Sequence, residues 1–111
     1  MTKIQIFKNK SNIQGFIVKG HSGYAEEGND IVCSAISSLS QMVCVGLDNV
    51  LNLKPEIVID ENKAYLSCFL NEFNEKAQTL FKSFEKSVEL LLAGDTKLKK
   101  YINLEVKNEI Y

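Results

Sequence analysis

Apolar residues recur with two different spacings along this chain, and the order of those spacings constrains the fold more than any other feature. Spacings of three and four residues predict two helices, one beginning near Ile31 and one running from about Glu72 to Leu92. Apolar residues at alternate positions predict five strands, at 2–8, 13–19, 57–60, 64–70 and about 102–106. The order is therefore ββαββαβ, and the predicted fold class is α/β, more narrowly α+β. We expect a single two-layer domain over residues 1–111, in which one sheet carries both helices on one face.

The apolar stripe of each predicted helix marks the residues expected in the core. The first stripe consists of Val32, Ile36, Leu39, Val43, Leu47 and Val50. The second stripe consists of Phe73, Ala77, Leu80, Phe81, Phe84, Val88 and Leu91. Gly94 is predicted to end the second helix in a left-handed conformation. Beside the first stripe, small polar residues either admit a close neighbour or lie in water: Ser34, Ser37, Ser38 and Gln41.

Composition excludes several classes of protein. Hydrophobic residues make up 45% of the chain, which argues against disorder. The formal net charge of −1 provides no field that would attract an anionic membrane or nucleic acid, so no direct nucleic-acid binding is expected. No apolar run approaches the ~20 residues that span a bilayer, and no apolar signal segment opens the sequence. The 3 cysteines include no CxxC pair, so we expect a reducing, cytoplasmic location without disulfides or structural zinc.

One short segment combines residues suited to nucleophilic catalysis. His21 lies in a glycine-bearing stretch that is read as an exposed loop, and Cys33 opens the first predicted helix. A helix N-terminus favours the thiolate, and an imidazole is the usual base for such a thiol, so we expect the pKa of Cys33 to lie below that of an ordinary thiol. The plainer interpretations are a buried apolar Cys33 and a solvated or structural His21. Asp30 either orients His21 or caps the helix.

The other two cysteines are expected in the core. Cys44 follows Cys33 by a helical rise of roughly 16 Å, so these two cannot form a disulfide within the helix. Cys68 lies on the apolar face of a predicted strand. A metal site is not expected, because the spacing of His21, Cys33 and the nearby glutamates matches no zinc pattern. The glycines form neither a P-loop nor a dinucleotide-binding fingerprint.

The residues around the predicted catalytic pair resemble the signature of a known family, the ribosomal-processing cysteine proteases called Prp. The residues that carry the resemblance are Gly20-His21, Gly28 and Asp30-Ile31-Val32-Cys33. The chain length and the ββαββαβ order also fit, so the resemblance covers the whole chain. The family often has alanine after both the histidine and the cysteine, whereas this chain has Ser22 and Ser34. Both are small, and we expect the catalytic pair to be retained.

The resemblance implies an activity, a substrate and an oligomeric state. His21 and Cys33 would form a catalytic dyad in a homodimer that needs no cofactor. The substrate would be the N-terminal extension of a large-subunit ribosomal protein precursor. The loop residues expected to contact this substrate are Ser22, Gly23, Tyr24 and Gly28.

The combined interpretation is a cysteine endopeptidase with Cys33 as nucleophile and His21 as general base. The backbone N–H groups of Cys33 and Ser34, at the start of the helix, are candidate donors to the oxyanion. One alternative is a non-catalytic, ribosome-associated module that binds a peptide while Cys33 is structural. A thiol redox sensor is a further alternative, and it is disfavoured because no resolving cysteine is within reach of Cys33 along the helix.

Overall fold

The structure is a computed structural model that describes residues 1–20 and 31–108. The described residues form five strands, two α-helices and two short helical turns in the order predicted from the sequence. The strands are β1 (Thr2–Asn9), β2 (Asn12–Lys19), β3 (Glu56–Asp60), β4 (Tyr65–Phe69) and β5 (Ile102–Lys107). The helices are α1 (Ile31–Val45), a π-helical turn (Gly46–Val50), α2 (Glu75–Gly94) and a 3-10 turn (Thr96–Lys100). The predicted ββαββαβ order and the α+β class are confirmed.

The strands form one sheet with the order β3-β4-β2-β1-β5. The pairs β1–β2, β2–β4 and β3–β4 are antiparallel, and β5 lies parallel to β1. The hairpin between β1 and β2 turns at Lys10, which adopts a positive φ of 61°. The order leaves β3 and β5 at the two edges of the sheet.

Both α-helices pack on the same face of the sheet. The core that they share with the strands includes Ile4, Ile6, Phe16, Leu66, Cys68 and Ile102 from the sheet. The ring of Phe16 stacks on Phe84 of α2 at a centroid distance of 4.4 Å and meets Phe81 edge-on at 6.2 Å. The other face of the sheet carries a separate, smaller cluster of Phe7, Ile17 and Phe69. The predicted two-layer arrangement is therefore confirmed.

The end of the first helix differs from the prediction, which placed Val50 on the buried stripe. Val50 is 70% exposed, because the chain leaves α1 through the π-helical turn. Gly46 begins this turn and contacts α2 so closely that a Cβ there would lie 2.6 Å from a methyl carbon of Leu80. The wider turn changes the direction of the residues that follow, and Leu47 is the last fully buried residue of the stripe.

The start of the second helix also differs from the prediction. Phe73 is 64% exposed and precedes the helix, rather than forming part of its buried stripe. Asn74 has an extended φ of −144° and caps the helix, since its side chain accepts a hydrogen bond of 3.0 Å from the Ala77 N–H. A short polar side chain that satisfies a free N–H of the first turn stabilises this boundary.

The predicted left-handed glycine at the end of α2 is wrong. Gly94 belongs to the helix, and Asp95 ends it with a φ of −141°. The Asp95 carboxylate accepts a hydrogen bond of 3.1 Å from the Lys97 N–H, which starts the 3-10 turn. The aspartate therefore ends one helix and begins the next, and no positive φ is needed.

Candidate active site

Cys33 is the third residue of α1 and is half-buried. At this position its thiol lies at the positive end of the helix dipole, which favours an anion. The predicted location of Cys33 in the first turn is confirmed. The side chain of Ser34 is exposed, and the proposed role of its backbone N–H stays a prediction.

Cys33 lines a cavity of about 180 Å³ between α1 and the end of the sheet. The helix contributes Ile36, Ser37, Ser40 and Gln41, the central strands contribute Thr2, Val18 and Leu66, and Gly20 follows the end of β2. The hairpin between β3 and β4 supplies the remaining wall, which consists of Ile59, Asp60, Glu61, Ala64 and Tyr65. The site thus combines a thiol, an apolar floor and a polar rim, as expected for a pocket that binds part of a small or peptidic ligand.

Two serines and a glutamine of α1 keep their polar groups satisfied within the helix. The fully buried Ser40 hydroxyl donates to the Ile36 carbonyl oxygen at 2.8 Å and is 3.0 Å from the Ser37 carbonyl oxygen. The Gln41 amide donates to the Ser37 hydroxyl at 3.0 Å. Small side chains that bond back to their own helix leave the space beside Cys33 open. The sequence left two interpretations open for Ser37 and Gln41, close approach of a neighbour or solvation. The structure shows instead that these two side chains hydrogen-bond to each other within the helix and that both line the cavity.

Gly20 determines where the chain leaves the sheet towards His21. Its φ is 87°, and a Cβ there would lie 2.5 Å from the Met1 carbonyl oxygen. Its N–H donates to the Ala64 carbonyl oxygen at 2.9 Å, and its own carbonyl accepts from the Thr2 hydroxyl at 3.3 Å. Only glycine fits this conformation and this contact without strain. The glycine of the predicted motif therefore has a structural role at the rim of the cavity.

The remaining predicted site residues lie outside the described residues. They are His21, Ser22, Gly23, Tyr24, Gly28 and Asp30. The His21–Cys33 dyad, the role of Asp30 and the substrate contacts of the loop stay predictions. Of the described residues on either side of positions 21–30, Gly20 and Cys33 both line the cavity.

Cys44 and Cys68 are core residues, as predicted. All 3 cysteines are within the described part of the chain, and they form no disulfide. The thiols of Cys44 and Cys68 hydrogen-bond to each other between α1 and β4. This hydrogen bond, together with burial, raises the pKa of the Cys68 thiol far above its ordinary value. Cys68 therefore stays protonated at neutral pH, and neither residue lines the cavity of Cys33.

Sequence reasoning missed the hairpin residues of the site, Ile59, Asp60, Glu61 and Tyr65. Their contribution depends on the pairing of β4 with β2, in which Tyr65 lies opposite Lys19. No local motif marks them, because nothing in the spacing of residues 57–70 indicates which strand they will join.

Among the described residues, no three histidine, cysteine or acidic side chains are grouped as in a metal site. No helix within residues 31–108 is long and apolar enough to cross a membrane.

Comparison with known proteins places these features in a family. The sequence matches the family described as cysteine protease Prp over residues 1–103. A comparison with curated proteins gives no match. A crystal structure of the essential ribosomal processing protease Prp from S. aureus, in complex with a covalently linked product peptide, is 21% identical with a TM-score of 0.85. That alignment covers 96% of this chain and 100% of the other chain.

Two further solved structures have the same fold. The S. aureus protease in complex with a substrate peptide is 19% identical with a TM-score of 0.81, over 96% of this chain and 100% of that one. The SMU.848 protein from Streptococcus mutans is 24% identical with a TM-score of 0.79, over 96% and 94% of the two chains. These likenesses confirm the arrangement of the sheet and the helices. Because the family match spans most of the sequence and Cys33 lies at the start of α1 beside a cavity, this protein is a cysteine protease of the Prp family.

Proposed function

We propose that this protein is an endopeptidase that removes the N-terminal extension of a large-subunit ribosomal protein precursor. The observation that carries the proposal is the position of Cys33, which combines a helix N-terminus with access to a cavity. The S. aureus structures, described as those of a ribosomal processing protease with bound peptides, support a peptide substrate of ribosomal origin. We place the protein in the cytoplasm, where ribosomal proteins are made and thiols stay reduced.

In the proposed mechanism, His21 takes the proton of the Cys33 thiol and the thiolate attacks the scissile carbonyl carbon. The N–H groups of Cys33 and Ser34 stabilise the oxyanion, and Asp30 orients His21 or caps the helix. The tetrahedral intermediate breaks down to a thioester as His21 gives the proton to the leaving amine. A water molecule, with His21 again as base, hydrolyses the thioester and regenerates the thiol.

Cleavage of the precursor tests this proposal. The purified protein should shorten the extended ribosomal protein, read as a loss of mass in intact-protein mass spectrometry. Cys33→Ala, Cys33→Ser and His21→Ala should abolish the product while the circular dichroism spectrum stays native. Cys44→Ala is the matched control, since it removes a buried thiol away from the cavity. It should lower the free energy of unfolding by about 1 kcal/mol and leave cleavage intact.

The same experiment separates the protease from the alternative of a non-catalytic peptide-binding module. If Cys33→Ala cleaves the precursor as well as the native protein does, the covalent mechanism is wrong. If the native protein binds the precursor and never shortens it, the binding module becomes the better interpretation.

We also propose that the protein forms a homodimer through the exposed face of α1. The 15 residues of α1 include no charged side chain, which is unusual for a helix on the surface. Its exposed positions are Ser34, Ser38, Gln41, Met42 and Val45. In a two-fold interface the same patch meets itself, so a patch without charge brings no like charges together. Light scattering should show a dimer at micromolar concentration, and Met42→Lys should shift it to monomer. Leu90→Lys, on the exposed face of α2, should leave the dimer intact.

A further inference from the structure

The edge strand β3 has the properties of a strand that accepts a partner. It lies at one end of the sheet order, so the backbone N–H and C=O groups on its outer side have no neighbouring strand among the described residues. Its three central residues, Ile57, Val58 and Ile59, are all β-branched and uncharged. Its pairing with β4 runs in register without a bulge, and Val58 and Ile59 are 54% and 56% exposed. Natural sheets commonly protect such an edge with a lysine, a proline or a bulge inside the strand, and β3 has none of these.

The opposite edge of the sheet differs from β3. The strand β5 carries Glu105 and Lys107, whose side chains form an ion pair of 3.3 Å. Charged residues on an edge discourage the addition of another strand. In β5 one of these charges, Glu105, lies inside the strand, whereas the charged residues of β3, Glu56 and Asp60, are its first and last residues. The two edges of one sheet therefore provide a test site and a matched control.

The outer edge of β3 is continuous with the cavity of Cys33. Ile59 and Asp60, the last two residues of β3, line that cavity, and so does Glu61 in the following turn. The Asp60 carboxylate accepts a hydrogen bond of 3.2 Å from the Lys63 N–H, which holds the turn in place at the mouth of the cavity. A strand added along β3 would thus pass the cavity at the C-terminal end of β3.

We infer that the peptide substrate binds as an added strand on the outer edge of β3, which delivers its scissile bond to Cys33. This inference rests on the proposed protease function and names the way in which that site holds its substrate. Main-chain hydrogen bonds to β3 supply the affinity and hold the peptide extended. Alternate side chains of the peptide then lie on the helix side of the sheet, where the cavity provides space for one of them.

A scan of N-methylated peptides tests the added strand directly. The probe is a synthetic peptide that spans the N-terminal extension and the first mature residues of the ribosomal protein precursor, methylated at one backbone nitrogen at a time. In an added strand only every second N–H donates to the sheet. Methylation should therefore lower kcat/KM by about fivefold at alternate residues on one side of the scissile bond and change it little at the residues between. A uniform loss, or a loss confined to the two residues at the scissile bond, would overturn the inference.

Proline substitutions test the protein side of the same contact. Neighbouring residues of a strand direct their N–H groups to opposite sides, so either Val58→Pro or Ile59→Pro removes a donor from the outer edge. The variant that loses an outward N–H should keep its melting temperature and lose at least about tenfold in kcat/KM. The other variant loses an N–H that donates to β4, so its melting temperature should fall. In the control pair on β5, Glu105→Pro and Val106→Pro, the variant that keeps its melting temperature should keep kcat/KM.

Two further outcomes are decisive. If the proline variant that stays folded cleaves at the native rate, or if it changes a dimer into a monomer, the outer edge of β3 does not bind the substrate. If the native protein does not cleave the unmodified peptide, the protease proposal fails separately. In that case the affinity of each methylated peptide for the Cys33→Ala protein is measured by fluorescence anisotropy. A loss of affinity at every second residue supports the added strand, and the absence of binding refutes it.

Discussion

The buried amide of Gln78 joins α2 to the sheet, and its removal should destabilise the fold strongly. Gln78 accepts a hydrogen bond of 2.8 Å from the Ile13 N–H and donates one of 2.8 Å to the Ile13 carbonyl oxygen. Strand β4 ends at Phe69, which lies opposite Gly15, so no strand reaches Ile13 from that side. The side-chain amide therefore takes the place of one residue of a neighbouring strand.

The size of the destabilisation follows from the two backbone groups of Ile13, its N–H and its carbonyl oxygen, that Gln78→Ala leaves without a partner. Gln78 is 7% exposed and Ile13 is 2% exposed, so water replaces the lost partner poorly. A buried polar group without a partner costs about 1–3 kcal/mol, and this change leaves two such groups. We expect the free energy of unfolding to fall by about 3 kcal/mol, which is a large part of the stability of a small domain.

Urea denaturation followed by circular dichroism measures the effect. Gln41→Ala is the matched control, because that amide makes an exposed hydrogen bond, and it should cost no more than about 0.5 kcal/mol. Gln78→Glu adds a pH test. At neutral pH the introduced carboxylate faces the Ile13 carbonyl oxygen and is repelled, whereas protonation at lower pH restores a donor. The destabilisation by Gln78→Glu should thus shrink as the pH falls. The reasoning is refuted if Gln78→Ala costs no more than Gln41→Ala.

Three further predictions concern packing, ionisation and reactivity. Gly15→Ala should cost about 1–3 kcal/mol, read as a lower melting temperature, because a Cβ there would clash with the Cys68 carbonyl oxygen and the Phe69 ring. The raised pKa of Cys68 means that the unfolded chain ionises first, so the stability contributed by that thiol is present below about pH 8.5 and is lost at higher pH. The free energy of unfolding should therefore fall as the pH rises above this value, and Cys68→Ala should weaken that fall in urea titrations at pH 8 to 10. Iodoacetamide should label Cys33 ahead of the buried Cys44 and Cys68, and peptide mapping that finds Cys44 labelled first would contradict the assignment of the reactive thiol.

The order and type of the elements were predictable because hydrophobic periodicity is a local property. The stripe through Ile36 and Val43 specifies a helix wherever that segment packs, and alternation through Ile4 and Ile6 specifies a strand. The boundaries were less predictable. Phe73 and Val50 continue their apolar spacings and yet are exposed, because the Asn74 cap and the Gly46 turn end the regular segments first.

The candidate site was predictable in part for the same reason. Cys33 was identified from its place at the start of a helix, a local feature that the structure confirms. The cavity beside it was not predictable, since Ile59 and Tyr65 reach it only through the pairing of β4 with β2.

The sequence by itself determined the elements and most of the face that each one buries, and it was enough to predict a candidate nucleophile, because these depend on spacings within a few residues of one another. Only the tertiary structure decided that Cys44 and Cys68 share a hydrogen bond, that Gln78 completes the strand at Ile13, and that the free edge of β3 runs into the cavity of Cys33. Each of these contacts joins segments that lie far apart in the chain. Their formation depends on which strands become neighbours and in which register, and that outcome is the joint result of all the packing interactions rather than a property of any one segment.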